Sequence, residues 1–299
     1  MNYLRTERSE VYYEDSADRH PEVKNRPVVV FLNGWALSGR YWKPVIDQLT
    51  PHYRCITIDQ SGTGRTKLTT SRHVFNIPVF ADEASSIIDD LGLAKDKQLH
   101  FVGHSMGSMV ATELHHRYSK HSASVTIIAC GIFDYSWVQM QLLGWFVETS
   151  MNFKWLFNFD YFKKMLVEKA TSQPIAPEYE TVIVEDFIGT DTEAATQVGT
   201  LSLDEHALNL YTKQSVSIQS PVLLCVGKAD KTIPPEGMIT LFEQRQENTK
   251  APTKLVQFSD TGHLPMLEIT DEFVKILKEH LDESMKIALA PEGTKAASK

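Results

Sequence analysis

Gln98-Leu99-His100-Phe101-Val102-Gly103-His104-Ser105-Met106-Gly107-Ser108-Met109-Val110-Ala111-Thr112-Glu113-Leu114 is the stretch on which the fold turns. Its first five residues read as a short buried strand and its last seven as the start of a helix. Between them, Gly103-His104-Ser105-Met106-Gly107 spells G-x-S-x-G. A serine hydroxyl is a weak nucleophile until a base takes its proton, and it must be held where a substrate can reach it. A sharp strand-to-helix turn does the holding. The flanking glycines leave room for that turn, and the first N–H groups of the helix face any negative charge that develops beside it. The five letters alone are common, and an ordinary buried glycine loop would spell them too. The strand before and the helix after select the nucleophile reading.

Outward from that turn, short runs rich in Val and Ile alternate with helical periodicity. Strand character falls at 10–13, 27–32, 54–59, 99–103, 124–129, 221–226 and 254–258. Helical character falls at 39–49, 80–91, 106–118, 235–246 and 271–285, and 59–78 reads as a loop punctuated by Gly62 and Gly64. This alternation predicts an α/β fold with a mostly parallel sheet covered by helices on both faces. From about 132 to 213 the alternation stops and only helical pattern remains. The first half of that segment carries Phe133, Tyr135, Trp137, Trp145, Phe146, Phe153, Trp155, Phe157, Phe159, Tyr161 and Phe162. Pro221 restarts the strand pattern. The expected organisation is a core over 1–130 and 221–286, an inserted helical cap over 131–220 and a small, polar, disordered tail over 287–299. Most of the aromatics are expected to glue the insertion to the core, and a minority to line a pocket beneath it.

At 299 residues the chain can bury a full core and carry an insertion. A formal charge of −8 and the lack of any Lys/Arg block leave no basic stripe for nucleic acid. Met1-Asn2-Tyr3-Leu4-Arg5-Thr6-Glu7-Arg8 has no apolar signal segment, and no run approaches the roughly 18 apolar residues of a membrane span. Cys55, Cys130 and Cys225 each lie in an apolar run. Buried reduced thiols and a cytoplasmic location are therefore expected, with no zinc site and no disulfide framework.

Ser105 needs a base and an acid to orient it. His263, in Asp260-Thr261-Gly262-His263-Leu264-Pro265, follows a strand and precedes a helix, so it should emerge on the same sheet edge. Asp230, in Val226-Gly227-Lys228-Ala229-Asp230-Lys231, also lies just past a strand. The order Ser–Asp–His along the chain is that of a hydrolase with a serine elbow. Asp134 is a rival acid, because it too follows a strand, but it opens the insertion rather than closing a tight turn. His115, His116 and His121 fit surface or helix-end roles, and His104 packs or hydrogen-bonds rather than reacts. A tetrahedral intermediate needs two N–H donors. Met106, at the first turn of the helix, and Trp35, in Asn33-Gly34-Trp35-Ala36-Leu37-Ser38-Gly39, are the candidates.

These motifs resemble the α/β-hydrolase superfamily across nearly the whole chain outside the insertion. Asn33-Gly34-Trp35 looks like that family's oxyanion loop, with Asn33 where His is usual. Asp59-Gln60-Ser61-Gly62-Thr63-Gly64-Arg65-Thr66 resembles its Asp-x-x-Gly-x-Gly-x-Ser loop, and Gly262-His263 with Pro265 and Glu268 its histidine loop. The resemblance implies an eight-stranded, mostly parallel sheet with a helical cap. The Gly-Trp loop and aromatic cap look like small carboxylesterases, including pimeloyl-carrier methyl ester esterases.

The expected function is hydrolysis of small carboxylic esters with an apolar acyl or alkyl part, through an acyl-enzyme on Ser105 and with no metal or organic cofactor. The stretch 131–215 holds twelve acidic residues, five Lys and no Arg, so an acidic carrier protein is a disfavoured partner. Three alternatives stand beside ester cleavage. The same residues could serve a C–C bond hydrolase, lyase, perhydrolase or thioesterase. The chain could be a slow-turnover ligand-binding protein, or a lipase using 145–162 as a lid. Oligomeric state is not legible.

Overall fold

The computed structural model describes residues 2–69, 74–95, 98–133 and 135–289. Its strands are β1 (Asn2–Arg5), β2 (Ser9–Asp15), β3 (Val28–Leu32), β4 (Arg54–Ile58), β5 (Lys67–Leu68), β6 (Leu99–His104), β7 (Ser122–Ile128), β8 (Val222–Gly227) and β9 (Thr253–Phe258). Its α-helices begin with α1 (Lys43–Leu49), α2 (Ile77–Asp90), α3 (Met106–Arg117), α4 (Trp137–Asn152), α5 (Asp160–Ala170) and α6 (Pro177–Gly189). They continue with α7 (Thr192–Ser202), α8 (Glu205–Ser217), α9 (Glu236–Asn248), α10 (Pro265–Glu268) and α11 (Thr270–Leu289). The sheet runs β1-β2-β4-β3-β6-β7-β8-β9, with β5 paired to β2 off this path. Every pairing from β4 to β9 is parallel, while β1 and β5 pair antiparallel with β2, and β2 with β4.

The expected α/β architecture is present. β3, β4, β6, β7 and β8 are buried at every residue; β3 and β8 accordingly read as unbroken apolar runs, whereas β4, β6 and β7 also bury Thr, Ser and His side chains. β1 and β5 are the two strands not expected. β1 is a four-residue edge strand with alternating exposure, and β5 has only two residues inside the 59–78 loop. α11 runs to Leu289, past the expected start of the tail, and the rest of that tail, 290–299, lies outside the described residues.

Parallel strands place their carboxyl ends along one edge, and strain collects there. Among the described residues the non-glycine residues with positive φ are Ala36, Ser105, Ala129 and Asp260, at 52–57°. Each sits just past the end of a parallel strand: β3, β6, β7 and β9 respectively. Such backbone costs about 1–3 kcal/mol per residue and persists only where the surroundings impose it.

The elbow glycines are required by contact. A Cβ on Gly107 would lie 2.3 Å from the Leu32 carbonyl oxygen and 2.5 Å from that of Asn33. One on Gly103 would lie 2.5 Å from the Gly107 carbonyl oxygen and the Ser108 Cα. Both neighbours are backbone, so neither can swing aside. Gly107→Ala is therefore expected to lower unfolding free energy by about 3 kcal/mol or more, at the upper end of overpacking costs. Urea denaturation of the two proteins checks this, and a loss below about 1 kcal/mol would show that the loop yields.

Between β7 and β8 the described residues form only helices, α4 to α8. α4 packs on α7, and α8 packs on α9 and α3. Arg245 on α9 is fully buried and ties the returning chain down. It donates to the carbonyls of Ser215 (2.6 Å), Val216 (3.3 Å) and Ile218 (3.1 Å) and to Thr253 Oγ1 (3.0 Å). Burial lowers its pKa to about 10, which leaves it charged at neutral pH. The aromatics of the insertion depart from expectation. Trp145, Phe146, Phe153, Trp155, Phe159 and Tyr161 are exposed, whereas Phe133, Tyr135, Phe157 and Phe162 are half-buried. Most face outward, and only a minority, Phe133 and Phe157 among them, pack the insertion against the core. The side chain of Trp137 lies outside the described residues.

Candidate active site

Ser105 caps α3 with φ 52° and ψ −128°, a conformation that side chains rarely adopt. Its own N–H is held by the Ile128 carbonyl at 2.8 Å, so β7 fixes the turn from behind. Ser108 Oγ donates to the Gly103 carbonyl at 2.8 Å and closes the elbow from within the helix. The Met106 and Trp35 N–H groups have no hydrogen-bond acceptor among the described residues.

The turn after β8 brings Asp230 to His263. His263 Nδ1 donates to Asp230 Oδ2 at 2.7 Å, with the carboxylate fully buried and the imidazole nearly so. Asp230 Oδ1 accepts the N–H groups of Thr232 (2.7 Å) and Ile233 (2.9 Å), so both carboxylate oxygens are assigned. Ser105 and His263 do not hydrogen-bond one another here. They are neighbours through His104, whose ring centroid lies 4.8 Å from that of His263. Serine–base contacts often tighten only when substrate binds.

His104 has the hydrogen-bonding role expected of it, and the direction of each bond can be worked out. The His263 carbonyl can only accept, so His104 Nε2–H donates to it at 2.9 Å. Burial, helped by the neighbouring His263, holds the pKa of His104 well below the usual histidine range, so its Nδ1 is bare. Tyr41 Oη then donates to Nδ1 at 3.1 Å and accepts the Gly34 N–H at 3.2 Å. One chain of bonds thus joins the loop after β3, the elbow and the His263 loop. Asn33, at the head of the loop after β3, is braced on both sides. Its side-chain amide donates to the Ile58 carbonyl (2.7 Å), and its oxygen accepts Trp42 Nε1–H (3.0 Å).

The inserted helices hold the same loops from above. Trp35 Nε1–H donates to the Ala195 carbonyl on α7 at 2.9 Å. Asp186 on α6, fully buried, accepts Ser38 N–H (2.8 Å), Ser38 Oγ–H (2.7 Å) and an Arg40 guanidinium N–H (2.5 Å). Glu268 accepts N–H groups from Ser172 and Gln173 on one side and from Gly262 and Leu264 on the other, all within 2.7–3.1 Å. His263 N–H adds a bond to the Ala170 carbonyl at 2.9 Å. Ala36, Met151, Phe187 and Ala195 pack into an apolar cluster with Trp35 and Phe157. A separate groove of about 1180 Å³ between α5 and α6, lined by Lys163, Glu168, Glu180, Glu185 and Lys231 among others, reaches neither Ser105 nor His263.

Asp186 and Arg245 carry no signal in the sequence that marks their roles. Asp186 meets its partners 148 residues away, and Arg245 bonds to carbonyls, so neither has a local signature. Asp134, the rival acid, lies outside the described residues. Among the described residues no group of three or more His, Cys, Asp or Glu is placed to hold a metal, and Cys55, Cys130 and Cys225 are buried and free. No helix among them is long and apolar enough to cross a membrane.

Glu83 is a buried carboxyl beside the Asp59–Thr66 loop. It accepts Ser61 Oγ–H and, at 3.2 Å, Ser61 N–H. Burial pushes its pKa from an ordinary 4.5 up to about 7, against those bonds and the Arg8 charge. Between these two values the folded chain holds more protons than the unfolded one, so stability falls as pH rises from about 4.5 to about 7. Glu83→Gln is expected to flatten that part of the melting-temperature profile. An unchanged slope in the variant would rule Glu83 out as its source.

Comparison with known proteins shows the family. A profile of the family described as alpha/beta hydrolase fold matches residues 27–269. "Putative carbamate hydrolase RutD" of Yersinia enterocolitica is 35% identical over 105 residues, 35% of each chain. The pimeloyl-[acyl-carrier protein] methyl ester esterase of Vibrio vulnificus is 30% identical over 139 residues, 44% of this chain and 51% of its own. These alignments thus span about a third to a half of the relatives' length. A thermophilic esterase from Thermogutta terrifontis superposes with a TM-score of 0.73 at 20% identity, covering 92% of this chain and 94% of its own. With the family match running from the start of β3 through Ser105, Asp230 and His263, this chain belongs to the alpha/beta hydrolase fold family.

Proposed function

We propose that the protein is a serine hydrolase that cleaves carboxylic esters through an acyl-enzyme on Ser105. The observation that carries this reading is the buried Asp230–His263 pair, 2.7 Å apart, beside the strained Ser105 turn on the same sheet edge. With Nδ1–H committed to Asp230, His263 presents Nε2 as a base. It takes the Ser105 proton as Oγ attacks the ester carbonyl. The Met106 and Trp35 N–H groups receive the oxyanion, and Asp230 stabilises the imidazolium. His263 then protonates the leaving alcohol, and water repeats the sequence on the acyl-enzyme. No step calls on a metal or organic cofactor.

The inserted helices act as a cap, and their apolar cluster over Trp35 favours an apolar acyl or alkyl part in the substrate. The esterase names among the relatives support ester cleavage, and the RutD likeness adds carbamates, which the same attack would open. The acidic insertion favours a small free ester over one carried on an acidic protein.

The test is fluorophosphonate labelling of the protein and of Ser105→Ala, with turnover of p-nitrophenyl esters of increasing acyl length and one aryl carbamate. Labelling at Ser105 only, with multiple turnovers of esters, is expected. Labelling at another residue, or at Ser105 with no ester or carbamate turned over, would overturn the reading.

A further inference from the structure

The outer face of the insertion has the wrong chemistry for contact with water alone. α4 carries a single charge, Glu148, in 16 residues and starts from its own capping box between Ser136 and Gln139. Val138, Leu142, Trp145 and Phe146 fall at i, i+4, i+7 and i+8, one stripe of the helix, and all are more than half exposed. The opposite side, Val147 and Met151, is buried. The helix is thus apolar on both faces, with solvent on one of them. Beyond it, Phe153, Trp155, Phe159 and Tyr161 extend the patch, Trp145 at 64% and Tyr161 at 75% exposure. Trp155 and Phe159 meet edge to face with ring centroids 6.4 Å apart, so these exposed aromatics cluster rather than scatter singly, as they do at a contact surface.

Charge and composition narrow the occupant. The span 136–165 holds three Lys and two acids, whereas 166–215 holds nine acids and two Lys. At the edge of the patch the charges are paired locally: Lys163 with Asp160 at 3.0 Å and Lys164 with Glu168 at 3.6 Å. Lys154 turns inward to the Thr190 carbonyl. A nearly neutral, Trp- and Phe-rich face has no basic excess to hold anionic headgroups, and the chain's overall charge of −8 opposes an anionic surface, so a lipid surface without net charge suits it.

We propose that this face docks on a zwitterionic phospholipid surface. It rests on the ester-hydrolase reading for its purpose, because the docked helix adjoins the site. A Cβ on Gly199 of α7 would meet Val147 Cγ1 at 2.7 Å and Trp35 Nε1 at 3.0 Å, so α4 stands one residue layer from the loop that bears Trp35. An amphiphilic ester delivered from the lipid would enter beside that loop.

The experiment is co-sedimentation of the full chain with phosphatidylcholine vesicles at low and high salt, beside vesicles containing phosphatidylglycerol. The comparison is a variant carrying Trp145→Ser, Phe146→Ser, Trp155→Ser and Phe159→Ser. Salt-insensitive binding to phosphatidylcholine is expected, weakened at least about tenfold in the variant, which keeps its melting temperature and its turnover of a water-soluble short-chain ester. Quenching of tryptophan fluorescence by brominated phosphatidylcholine in the unmodified chain gives a readout independent of the variant's folding. The proposal is overturned if the unmodified chain binds no phosphatidylcholine, or binds only anionic vesicles at low salt. It is also overturned if the chain forms a dimer that the substitutions dissociate while vesicles stay unbound. Vesicle binding lost in the variant, with no ester turned over by either protein, would uphold the surface and defeat the hydrolase reading instead.

Discussion

Ser105→Ala is expected to lower ester turnover by about six orders of magnitude while leaving the fold intact. The size follows from the proposed mechanism. Without Oγ there is no acyl-enzyme, and His263 and Asp230 have nothing to activate, so their contributions vanish with it. The fold is spared because Ser105 Oγ makes no hydrogen bond among the described residues that alanine would forfeit, and alanine keeps the same Cβ at φ 52°. Ser105→Gly makes an informative companion. It should be equally inactive but more stable by about 1 kcal/mol, since glycine occupies that backbone without strain. Steady-state kinetics and thermal melting of the three proteins check both statements. An alanine variant that keeps more than a thousandth of the activity would remove Ser105 from the chemistry.

Asp230→Asn should cost about four orders of magnitude in kcat/KM, and the geometry says why. Oδ1 of Asp230 receives two backbone N–H groups, from Thr232 and Ile233. An amide at this position must keep its oxygen there, because its NH2 would meet two donors. Its NH2 therefore faces His263 Nδ1 and donates to it. That forces the proton of His263 onto Nε2, the atom that must be bare to act as base. The variant should fold normally and bind substrate with little change in KM. A loss of less than tenfold would show that a different carboxylate orients His263.

The elbow, the His263 loop and the turn at Asp230 were legible because each is a short local pattern at the end of a strand-like stretch. So was the parallel core, whose inner strands β3, β4, β6, β7 and β8 are buried along their whole length. β1 escaped because a four-residue edge strand with a charged end has too little pattern to register. Asp186 and Arg245 escaped because their partners lie elsewhere in the chain. The outward aromatics escaped for another reason. Apolar periodicity reports that a face is apolar, and nothing in it says whether protein, lipid or water lies against that face. His104 shows the reverse case: its type and place announced a hydrogen-bonding role, and only coordinates could give its two partners.

Glu268 joins two pieces of chain that recombination would treat as separable. Its carboxylate is shared by Ser172 and Gln173 of the insertion and by Gly262 and Leu264 around His263, while His263 N–H rests on Ala170. A chimera that exchanges the helical insertion for that of a relative therefore cannot be cut at the sheet boundary alone. The segment 170–173 belongs, in design terms, with the histidine loop, and a graft that replaces it must bring its own acceptor and donors in register. Insertions that differ only over α4 should transplant more freely, since that helix touches none of these bonds. Substrate range in this lineage would then be free to drift along α4 while the joint at Glu268 stays fixed.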